Sequence, residues 1–144
     1  MTEAMTQAAV ADTLAIQSLK ALYCEGADLL PTDAGRAAEV LRGVFAPDAV
    51  ADYGNGLLEG RDAIIAFLVD GISPVRDWLW HAIHSPFVEV RGDEAEARWT
   101  IVAMMRDKGS DAIERAYGRY ADSLVRTPEG WRIATMRWIE EARC

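Results

Sequence analysis

Glu94-Ala95-Glu96-Ala97-Arg98-Trp99 alternates a charged residue with a small or apolar one at every step. A period of two puts the charges on one face and the alanines and tryptophan on the other, so the stretch reads as a strand with one wet and one dry side. The strand runs on through Ile101 to Met104 or Met105. Upstream, across an Arg91-Gly92-Asp93 turn, Trp80 to Glu89 reads as its partner, bent at Pro86. Downstream, Arg106 to Asp111 is a polar connection and Ala112 to Arg126 a long strand around Tyr117, Gly118, Tyr120 and Leu124. Thr127-Pro128-Glu129-Gly130 is a turn, and Trp131 to Ile139 is a last strand. Connections this short favour hairpins over parallel crossovers.

The first half is helical in period. Leu14, Ile16, Leu19, Leu22 and Tyr23 recur at helical spacing from a cap at Asp12 or Thr13, and Pro31 closes the helix after Leu29 or Leu30. Thr32 to Arg42 predicts a second, shorter helix capped by Thr32. Ala46-Pro47-Asp48 reads as a turn before a short strand, Ala49 to Tyr53, which reverses at Gly54-Asn55-Gly56 into Leu57-Leu58-Glu59. Gly60-Arg61-Asp62 then opens a third helix carrying Ile64, Ile65, Phe67 and Leu68. Helices first and antiparallel strands last imply an α+β layout, a curved sheet wrapped over segregated helices.

A chain of 144 residues, 51% hydrophobic, suits one domain with a real core. Residues 1–11 read as a flexible lead-in and 12–144 as the domain. No apolar run is long enough to span a membrane, and Met1 to Leu14 lacks the basic start of a secretory leader, so a cytoplasmic location is expected. Net charge is −8, and the arginines are scattered among acids, which disfavours a nucleic-acid partner. Two cysteines without a CxxC, and two histidines three apart in a strand, support neither a disulfide framework nor a zinc site.

Several stretches together resemble the SnoaL-like group of the superfamily typified by nuclear transport factor and the ketosteroid isomerases. They are Ile16 to Cys24, Phe45 to Val50, Gly60 to Ile64, His84-Ser85-Pro86, Gly118-Arg119-Tyr120 and Gly130 to Ile133. The resemblance covers nearly the whole chain. It implies a cone-shaped α+β barrel, with N-terminal helices packed in the concave face of a strongly curved, mainly antiparallel sheet around one deep apolar pocket. In outline the chain is similar to bile-acid dehydratases, scytalone dehydratase and a hexachlorocyclohexane dehydrochlorinase. That implies cofactor-free proton chemistry by a histidine paired with a carboxylate, in a protein that forms homodimers or homotrimers. The resemblance puts the base at His84 and the pocket tyrosine at Tyr23. It puts the acid at Asp28 on the bile-acid dehydratase pattern, or at Glu25 on the dehydrochlorinase and scytalone pattern.

The residues themselves allow the same chemistry. A neutral His84 could remove a proton beside an activating group while Asp28 or Glu25 holds its other ring nitrogen. His81, three residues away in a strand, should face the other way, to the surface or an oligomer contact. Tyr23 and Tyr120 could donate to a developing enolate or a leaving hydroxyl. Tyr53, Trp80, Phe87, Trp99, Met104 and Arg119 complete the expected substrate site, the last of them only if it turns inward. The expected activity is a cofactor-independent dehydratase or isomerase acting on an apolar or cyclic, hydroxylated small molecule. A non-catalytic binding or assembly module and a polyketide-type cyclase are the alternatives.

Overall fold

The computed structural model describes residues 5–144; of the expected lead-in, residues 1–4 lie outside the described residues. The first helix, α1, spans Gln7–Leu29, starting five residues before the expected Asp12. Thr6 caps it by accepting from the Ala9 amide at 3.0 Å, a bond that pairs one of the free N–H groups of the first turn. Asp12 and Thr13 lie inside the helix instead. The Asp33 carboxylate caps α2, Ala34–Arg42, in place of Thr32, and α3 is Arg61–Ile72. Gly26 lets α1 and α2 close together: a Cβ there would stand 3.0 Å from the Leu41 Cγ.

The strands are β1, Phe45–Asp52; β2, Leu57–Glu59; β3, Arg76–Arg91; β4, Glu94–Asp107; β5, Glu114–Thr127; and β6, Gly130–Arg143. The expected turn at Ala46-Pro47-Asp48 is absorbed into β1, where the pairing register slips between Phe45 and Val50. Proline cannot donate to a ladder, and an irregularity is where a strand tolerates it.

The six strands form one sheet in the order β2-β1-β6-β5-β4-β3. Two features correct the expected architecture. The sheet is mixed, because β1 runs parallel to β6 while every other neighbouring pair is antiparallel. It is also open, neither closed nor strongly curled, so it is not a cone-shaped barrel. Closure would require β2 to pair with β3. β2 is three residues long against sixteen in β3, and it ends where Gly60 turns the chain into α3.

The dry face predicted from Glu94 to Trp99 is present. Ala95, Ala97, Trp99, Ile101, Ala103 and Met105 are all buried while their neighbours in β4 are not. The helices cover this face with Ile16, Leu19, Tyr23, Leu41, Ile64 and Leu68. A fully buried residue such as Ile16 contributes about 1.5–3 kcal/mol by leaving water. The alanines matter for a second reason. Ala27, Ala103 and Ala116 face inward without filling the space between helix and sheet. Among the described residues no helix is long and apolar enough to cross a membrane.

Candidate active site

The space left by those alanines is a cavity of about 250 Å³ between α1, α3 and the inner face of β3–β6. Two hydrogen-bonded polar clusters bear on its chemistry, and helix and strand periodicity place both.

The first is a histidine–carboxylate pair. Leu79 and His81, two residues apart in β3, both face inward, and His81 lines the cavity. Its Nδ1 lies 2.7 Å from Oδ1 of Asp28, in the last turns of α1. The other Asp28 oxygen accepts from the His81 backbone amide at 3.3 Å, so one carboxylate fixes both ring and main chain. The side chains are 8% and 24% exposed, so the contact is shielded from bulk water. A carboxylate beside Nδ1 favours the proton on that nitrogen and leaves the Nε2 lone pair free to act as a base.

The second is a tyrosine cluster. The Tyr23 hydroxyl lies 3.0 Å from that of Tyr53 and 3.1 Å from that of Tyr120, and all three residues line the cavity. Three hydroxyls carry three protons and share two hydrogen bonds, so one O–H remains for a ligand whichever way the bonds run. Burial pushes all three phenols above their ordinary ionisation range, so they are donors at neutral pH. Tyr23 also lies edge-on to His81, ring centres 6.4 Å apart, which puts the cluster and the imidazole side by side. Phe67 stacks on Tyr53 at 5.5 Å, and Trp138 packs against Tyr120 at 5.2 Å.

Beneath the tyrosines lies a buried ion pair. Lys20 donates to Asp122 at 2.8 Å, and Asp122 also accepts from the Trp99 indole at 2.8 Å. Cys24, beside them on α1, is held as a thiol because burial pushes it up to about 12.

The structure thus brings together Tyr23, Asp28, Tyr53 and Tyr120, and the imidazole it sets among them is that of His81. His84 is exposed on the opposite face of the sheet, opposite Thr100 of β4. Immediately after His84 comes a β-bulge at Ser85-Pro86, where Ser85 takes a φ of 48°. Glu25 is exposed on the outer side of α1. Trp80 and Phe87, 51% and 48% exposed, lie outside the cavity, and the Arg98 guanidinium covers the Phe87 ring. Arg119 alternates with Tyr120 and is exposed. Trp99 is buried but spends its N–H on Asp122 rather than on the cavity. Met104 faces away, and its neighbour Met105 lines the wall.

Sequence reasoning missed Arg76, Phe67, Trp138 and Arg143 as lining residues. Arg76 and Arg143 are both tied to Glu114, at 3.1 and 2.7 Å. Nothing local signals this, because the three residues come from three strands. Among the described residues no three His, Cys, Asp or Glu side chains converge as a metal site would require.

A family model described as a SnoaL-like domain matches residues 8–137. None of the curated proteins compared with the chain matches it. Solved structures do. A Novosphingobium aromaticivorans protein provisionally named a scytalone dehydratase superposes with a TM-score of 0.86 at 22% identity, over 97% of this chain and 91% of that one. A nuclear transport factor 2-like protein from Salmonella enterica serovar Typhimurium gives 0.81 at 17% identity, over 92% and 93%. The hexachlorocyclohexane dehydrochlorinase LinA-type3 of Novosphingobium barchaimii gives 0.79 at 17% identity, over 94% and 90%. At these identities the likeness shows the fold.

Proposed function

Because the chain belongs to the SnoaL-like domain family, we propose that it is a lyase that dehydrates a small hydroxylated cyclic compound with its own acid–base groups. The observation that carries this is the 2.7 Å contact between His81 Nδ1 and Asp28 Oδ1 at the wall of a cavity. In the proposed reaction, Nε2 of His81 takes a proton from a carbon next to a carbonyl. Asp28 stabilises the imidazolium that forms. The spare tyrosine O–H donates to the carbonyl oxygen as charge moves onto it. The imidazolium then returns the proton to the departing hydroxyl: a C–H and a C–O bond break, a C=C bond forms and water leaves. The same groups would shift a double bond if the proton went back to carbon instead.

The mostly apolar wall, with Phe67, Leu79, Met105 and Trp138, supports a cyclic, largely apolar substrate. The exposed outer face of the sheet, carrying Trp80 and Tyr117, supports association of copies through that face as part of the same reading.

The test is a screen of hydroxylated cyclic ketones against wild type, His81→Ala and His84→Ala. For any compound turned over, His81→Ala is expected to lose about 10²–10⁴-fold in kcat, the usual worth of a positioned base, while His84→Ala keeps the wild-type rate. Equal turnover by wild type and His81→Ala removes the reading.

A further inference from the structure

Lys20 is 1% exposed, which is rare for a lysine, and its surroundings are unusual. Nζ donates to Asp122 at 2.8 Å and reaches the Met136 sulfur at 3.4 Å. The remaining side of the ammonium lies against aromatic faces, 3.9 Å from the ring centre of Tyr120 and 4.6 Å from that of Tyr23. These are the phenols whose hydroxyls meet at the cavity. Asp122 is no better placed: its Oδ1 is buried without a partner. Stability alone gives no reason for such a pair, since apolar residues of the same volume usually hold a core at least as well.

We infer that Lys20 is a positioning residue of the cavity, whose ammonium, held by Asp122 under the faces of Tyr120 and Tyr23, favours negative charge on the tyrosine cluster. A cation on a ring face draws electron density out of the ring, which makes the phenol a stronger donor and its anion less costly. Asp122 acts in the opposite sense, but its charge is shared between the ammonium and the Trp99 N–H, and the ammonium is the member in contact with the rings. The inference rests on the proposed function only in assigning that donor to a substrate oxygen.

The test needs no substrate. The chain has four tyrosines, and Tyr117, exposed on the outer face, is an internal control. The full chain is labelled with 3-fluorotyrosine, and the fluorine resonance of each tyrosine is followed against pH in wild type and in Lys20→Met/Asp122→Leu. The charged and titratable groups around Tyr120 are Lys20, Tyr23 and Cys24 of α1, Tyr53, His81 of β3 and Asp122 of β5. Only the pair is altered. The Tyr120 midpoint is expected to rise by about one pH unit in the double variant, about a tenfold change in ionisation, with Tyr117 unmoved. A purely structural pair would alter the melting temperature and leave the midpoint where it was. An unchanged or lowered midpoint overturns the inference, and so does a wild-type Tyr120 that ionises only on unfolding. Should that double variant not fold, Asp122→Asn is compared with Lys20→Met/Asp122→Asn, where the carboxylate is absent from both: loss of the ammonium then raises the Tyr120 midpoint, and an unmoved or lowered one overturns the inference. The outcome is independent of His81, so an active-site reading that fails in the turnover screen leaves this result standing.

Discussion

Replacing Lys20 by methionine keeps the stem and removes the ammonium. Asp122 is then a buried carboxylate with one donor left, the Trp99 N–H, because its other oxygen already lacks a partner. Breaking one side of a buried pair costs about 3–5 kcal/mol, a large share of the ~5–15 kcal/mol that holds a domain of this size. Removing both charges is different. Lys20→Met/Asp122→Leu strands no charge but leaves the buried Trp99 N–H without its acceptor, a cost of about 1–3 kcal/mol that apolar burial offsets. The double variant is therefore expected within about 1 kcal/mol of wild type or above it, an interaction term of at least 2 kcal/mol in a double-mutant cycle. Urea unfolding of the four proteins of the cycle measures it. The pH dependence adds a signature. Burial raises the Asp122 carboxyl above its ordinary value, so in Lys20→Met the folded state takes up a proton more readily than the unfolded chain. The deficit of that variant should then be small below about pH 4 and grow as pH rises through the raised folded value. A double variant as unstable as Lys20→Met would refute the argument, since the loss would then be one of packing and not of charge.

Asp28→Asn keeps the shape of the histidine pair and removes its charge. In wild type the nitrogen-15 resonances of the two imidazoles should place the His81 proton on Nδ1, whereas the variant shows mixed tautomers and loses about 10²–10⁴-fold in turnover. A single Nδ1–H tautomer in the variant would count against it. Asp12 is held down from 3.8 to about 2 by hydrogen bonds first from Arg126 and then from Trp131. Its folded value lies below its unfolded one, so the stability it contributes is present above about pH 4 and is lost as pH falls toward 2. Urea midpoints over that window should fall less steeply in Asp12→Asn than in wild type, and parallel curves would refute the contribution. At Gly118 a Cβ would meet the Ile139 carbonyl and stand 2.7 Å from a ring carbon of Trp138. Gly118→Ala is expected to cost about 1–3 kcal/mol and to change tryptophan fluorescence as Trp138 shifts off Tyr120. An unchanged melting temperature would sink that expectation.

The secondary structure was legible because it depends on local periods: a helix from Ile16 to Tyr23, a strand from Glu94 to Trp99, a stop at Pro31. The parallel contact of β1 with β6 was not, because the register of Val50 against Thr135 joins residues with no local signal in common. The carboxylate and the tyrosines were legible for the same reason as the helix: Tyr23 and Asp28 lie on one helix, and a buried tyrosine must find a partner for its hydroxyl.

The histidine turned on a single residue of register. Arg91 opposes Glu94 and Phe87 opposes Arg98, as in a regular hairpin. Continued without interruption, that count would set His84 opposite the buried Ile101 and His81 opposite the outward Met104, which is the reading the sequence invites. The bulge at Ser85-Pro86 uses up one extra residue, so His84 opposes Thr100 and His81 opposes Ala103. A shift of one residue exchanges the faces of everything beyond it. Ser85 at positive φ is an uncommon conformation for a residue with a side chain, and Pro86 cannot complete a ladder, so the pair marks the break. A bent strand was readable there, but the direction of the bend was not. Which of two histidines reached the cavity was therefore decided by a backbone irregularity at Ser85-Pro86, directly after His84, and not by either imidazole.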